Sequence, residues 1–61
     1  MTYEQVNKLE EKLRQAEAIL EEAGRMLCNE HGEGAEMWRK ITYEILPANA
    51  ELLHRTYLLR T

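Results

Sequence analysis

Leu27 to Gly34 read LCNEHGEG, a cysteine, a histidine and two acids in eight residues, and the fold turns on whether that stretch binds a metal or ends a helix. Cys28 and His31 stand at i and i+3, a spacing that can present two ligands from one helix face. Zinc takes three or four protein ligands, and the one further imidazole or thiol is His54, far along the chain. As a helix end the same residues explain themselves. Cys28 is a small apolar filler, His31 suits the negative end of a helix dipole, and Gly32 supplies a left-handed stop. The stretch is therefore read as a turn, residues 31–34, between two helical arms, with no metal and no cofactor expected.

N-terminal to the turn, Val6, Leu9, Leu13, Ala16, Leu20, Ala23 and Leu27 alternate spacings of three and four, an uninterrupted heptad seam. Thr2 with Gln5 three residues later has the form of a capping box. One long helix over 3–30 is expected. Gly24 lies off the seam at a propensity cost of ~1 kcal/mol relative to alanine, which suggests close approach there.

C-terminal to the turn, Trp38, Ile41 and Ile45 make a helical stripe and the composition stays helical to Arg60. Pro47 removes a backbone donor, so the return arm is expected to kink or break there, as helices over 35–46 and 47–60. At about 1.5 Å per residue the two arms match near 40 Å, which implies a single domain over 1–61, an antiparallel helical hairpin centred near Glu33. In that register Leu27 meets Trp38, Leu20 meets Ile45, Leu13 meets Leu52 or Leu53, and Leu9 meets Tyr57.

A chain of 61 residues sits where a single core barely offsets chain entropy, so a staple or a partner is needed. One cysteine makes no internal disulfide, and with no signal-peptide pattern the chain is expected in the cytoplasm. No apolar run approaches the roughly 18 residues of a membrane span. The remaining staple is self-association. Ile19 and Met26 flank the seam, and a single hairpin cannot cover its apolar residues on every side. An all-α homo-oligomer of the four-helix-bundle type, most simply a dimer, is expected, with Leu13, Ile19, Leu20, Met26 and Leu53 at its interface.

Charge excludes some partners. Up to Glu30 there are four basic residues against seven acids, and from His31 on four against four, for a net charge of −3. That balance lacks the basic footprint of a nucleic-acid binder. Most charges form acid-first i, i+4 pairs: Glu4 with Lys8, Glu10 with Arg14, Glu21 with Arg25, Glu36 with Lys40 and Glu51 with Arg55. Arg39, Arg60 and Lys12 lack such a partner and are freer to serve a ligand. The chain contains no serine and no aspartate, and its two histidines are far apart, so no nucleophile, base and orienting acid can be assembled. A non-enzymatic adaptor or inhibitor of a larger protein is the expected function.

VNKLEEKL, Val6 to Leu13, together with Trp38, Ile41, Leu46, Leu53 and Arg55, resembles the helical hairpin of phage anti-defence sponge proteins that sequester cyclic nucleotide signals. Pro47 to Asn49 stand where that family is expected to carry a glycine and a glutamine. The resemblance implies a phage-encoded small oligomer with ligand sites between protomers and capture without turnover. Lys8 and Arg55 match positions that could touch the nucleotide, and Arg39 is a further candidate from its lack of an i−4 partner. In architecture alone, the hairpin is also similar to a plasmid copy-number regulator that dimerises and contacts RNA, a role the acidic charge opposes.

Overall fold

The computed structural model describes residues 1–60; Thr61, the last residue of the expected 1–61 domain, lies outside them. Helix α1 runs Tyr3–Leu27. Its capping box is in place: the Gln5 amide donates to Thr2 Oγ1 at 3.1 Å and the Thr2 amide donates to Gln5 Oε1 at 2.9 Å. The helix ends at the last seam residue, three residues short of Glu30, because the chain has to reverse and Leu27 is the last side chain packing can hold. Gly32 makes the reversal at φ 60° and ψ −125°, a conformation open to glycine.

Helix α2, Glu33–Lys40, starts the return arm. A Cβ on Gly34 would lie 2.5 Å from Glu30 Cβ, so the turn closes this tightly because position 34 has no side chain. Gly24 is different, since a Cβ there would meet Ile41 Cγ2 at an ordinary 3.8 Å. Gly24→Ala is thus expected to raise stability by about 1 kcal/mol, whereas Gly34→Ala lowers it by about 1–2 kcal/mol, as read from thermal melts. The same sign for both would refute this packing.

At the proline the chain stays helical and does not break. Ile41–Ile45 form a π turn in which the Leu46 amide donates to Ile41 O, and helix α3, Leu46–Arg55, takes Pro47 into its first turn. Proline has no N–H, and its ring crowds the carbonyl four residues back; the wider π turn relieves that conflict. A 3₁₀ turn, Thr56–Leu59, finishes the arm.

The π turn also corrects the expected register. One extra residue per turn rotates everything after it, so Leu46 rather than Ile45 faces α1, followed by Asn49, Leu53 and Thr56. Ile45 is left 39% exposed and Tyr57 57% exposed, which removes the expected partners of Leu20 and Leu9. Asn49 Nδ2 reaches across the hairpin to donate to Leu13 O at 3.0 Å, and Thr56 Oγ1 satisfies itself on Leu53 O at 2.7 Å.

The core is thin. Val6 is the one hydrophobic residue fully buried among those described, and the rest of the seam, Leu9 to Leu27, is half-buried. The body measures 46 × 15 × 11 Å with a radius of gyration of 14.1 Å. A compact domain of this length would have about 10.5 Å, and one of twice the length about 13.7 Å. No helix among the described residues is long and apolar enough to cross a membrane.

Candidate binding surface

The two broad faces of the flat hairpin differ in chemistry. At about 100° per residue, Ile19 and Met26 lie on α1 beyond Leu9, Ala16 and Ala23, to one side of the seam. On the return arm Ile45, Leu52 and Leu59 repeat every seven residues. Leu9, Leu13, Leu52, Arg55, Thr56, Leu58 and Leu59 line one open groove of about 330 Å³, which puts these rows of the two arms on the same side. That side is aliphatic. Ile19 is 65% exposed and Met26 79% exposed, and Leu52 and Leu58 are also open to solvent.

The opposite side is ionic. Glu10 is 8% exposed, and its carboxylate contacts the Arg14 guanidinium at 3.4 Å and that of Arg60. Arg60 Nη2 also donates to Asn7 Oδ1 at 3.2 Å, which clasps the end of the return arm to α1. Two guanidinium charges offset the burial of Glu10, whose Oε2 accepts from Arg14 while the buried Oε1 accepts no hydrogen bond.

The sequence-derived site residues separate. Among the ligand candidates, Lys8 lies exposed on α1 with Glu4 at 3.9 Å. Arg39 pairs with Glu36 at 2.7 Å beside a polar depression of about 370 Å³ near the turn. Arg55 lines the aliphatic groove, about 24 Å along the arm from Arg39, so the three form no single site within one chain. Neither Arg39 nor Arg60 is free as expected: each is held by a glutamate. Among the interface candidates, Leu13, Leu20 and Leu53 are half-buried, while Ile19 and Met26 point to solvent.

Cys28 caps α1 as an exposed thiol, and His54 lies edge-on to Tyr57 at 5.6 Å between ring centroids. No group of three or more His, Cys, Asp or Glu side chains placed to hold a metal occurs among the described residues. Glu10, Asn49 and Thr56 are buried positions that sequence reasoning missed. For Glu10 a signal existed in Gly24, the glycine that suggests close approach. Glu10, Glu17 and Gly24 recur every seven residues beside the seam, and that row turns toward the return arm.

No protein-family model matches the chain, and neither a curated protein nor a solved structure matches it.

Proposed function

We propose that this chain is a non-enzymatic binding protein that works as a homo-oligomer, an adaptor or inhibitor covering a surface of a larger protein. The observation that carries the reading is the open aliphatic face. A chain of 7.2 kDa exposing 4830 Å² has about 700 Å² more surface than a compact monomer of that mass. A standard protein interface takes about 800 Å² from each partner. The excess supports coverage by another protein surface, and a second hairpin adds width to a long, thin body without adding length.

Sedimentation at micromolar concentration tests the oligomer: the expected mass is at least twice that of the chain, and a well-folded monomer overturns it. A pull-down from the native cell tests the adaptor role, and recovery of the protein alone counts against it. A second reading, sequestration of cyclic nucleotides between protomers, is favoured by Arg55 lining the groove. Calorimetry with cyclic di- and trinucleotides decides that reading, and absence of heat with each removes it.

A further inference from the structure

The aliphatic face has two unlike halves. Toward the open end of the hairpin it is concave, the groove between Leu9 and Leu13 of α1 and Leu52 and Leu59 of the return arm. Toward the turn Ile19 and Met26 project into solvent. The groove is centred near residue 11 of α1 and the projections near residue 22, so the point midway between them is residue 17. That is close to the middle of α1, Tyr3–Leu27.

We infer that a second copy of this chain docks on this face antiparallel, related by a two-fold axis near residue 17, with Ile19 and Met26 of each copy covering the groove of the other. The inference rests on the self-association proposed above and adds the face and the orientation. An axis there places projection against groove twice and overlaps the two bodies along their full length, as a closed, self-complementary pair requires. Parallel copies would set groove on groove and leave the space empty, which close-packed interfaces do not tolerate. Ala16 lies beside the axis and lets the two α1 helices approach.

Charge gives the same centre independently. Lys12 and Glu22 lie on the edge of α1 that carries Ile19, and their midpoint is again residue 17. Antiparallel docking sets Lys12 of each copy against Glu22 of the other, whereas parallel docking sets like against like.

Cys28, exposed at the end of α1, is the single cysteine and a ready place for a spin label. Eleven residues from the axis on each copy, two labels should be on the order of 35 Å apart by pulsed dipolar spectroscopy. A distance below about 20 Å would overturn the orientation while leaving self-association standing. Monomer mass without interspin coupling would overturn both and assign the face to a different protein. In a second measurement, Lys12→Glu should weaken self-association about tenfold and Glu22→Lys in the same chain should restore it. Failure of that rescue also refutes the antiparallel register.

Discussion

On the proposed self-association through the aliphatic face, Met26→Glu is expected to leave a folded monomer, with self-association at least about a thousandfold weaker. Met26 is 79% exposed in the hairpin, so its loss leaves no cavity within the chain, and glutamate is as good a helix former as methionine. The cost arises on association. A two-fold interface takes the new carboxylate out of water twice, and at about 2 kcal/mol or more for each charge desolvated the total exceeds ~4 kcal/mol, about three decades in affinity. Sedimentation should give the chain mass while circular dichroism keeps its helical signal. An unchanged oligomer would mean that the aliphatic face is not where the copies meet. Ile19→Glu, two turns back on the same face at 65% exposure, should behave in the same way.

Arg60→Ala is expected to lower the stability of the hairpin by about 2 kcal/mol, a fall of roughly 10 °C in Tm for a domain of this size. Glu10 is nearly buried, and without Arg60 its carboxylate keeps Arg14 at 3.4 Å, a residue largely in solvent. Arg60 is itself about a third exposed, which holds the figure below the 3–5 kcal/mol typical of a fully buried pair broken on one side. The same substitution releases Asn7, so the 3₁₀ turn Thr56–Leu59 should exchange its amides faster. Replacing Glu10 and Arg60 together by leucine should recover most of the loss, since an apolar pair of similar volume carries no desolvation cost. A Tm within about 2 °C of the parent for Arg60→Ala would show that the clasp contributes nothing.

Much of the architecture was legible along the chain because it depends on interactions within a few residues. The seam Val6 to Leu27 has a helical period, Thr2 and Gln5 cap each other across three residues, and Gly32 is required by its own backbone angles. An antiparallel hairpin follows from those local features and the matched arm lengths. The exposure of Ile19 and Met26 was legible too, since both fall outside a seam that admits a single neighbouring arm.

What needed the tertiary structure was every feature set by the second arm. Pro47 announced an irregularity, but whether the arm breaks there or absorbs it as a π turn depends on packing against α1, and that choice rotated Leu46 inward and left Ile45 and Tyr57 outside. Glu10 carried the pattern of a solvated i, i+4 pair, and Arg60, at the far end of the chain, turned it into a buried anchor. The groove beside Arg55 likewise arises from residues of both arms. The capped start of α1 and the reversal at Gly32 could be read along the chain, since those are local free-energy choices, whereas the end of α1 at Leu27 and the continuous helix through Pro47 could not. The tertiary structure alone decided which side chains share a face, because one extra residue in one turn rotates the rest of an arm by about 100°, and the energy that selects it comes from contacts across the hairpin.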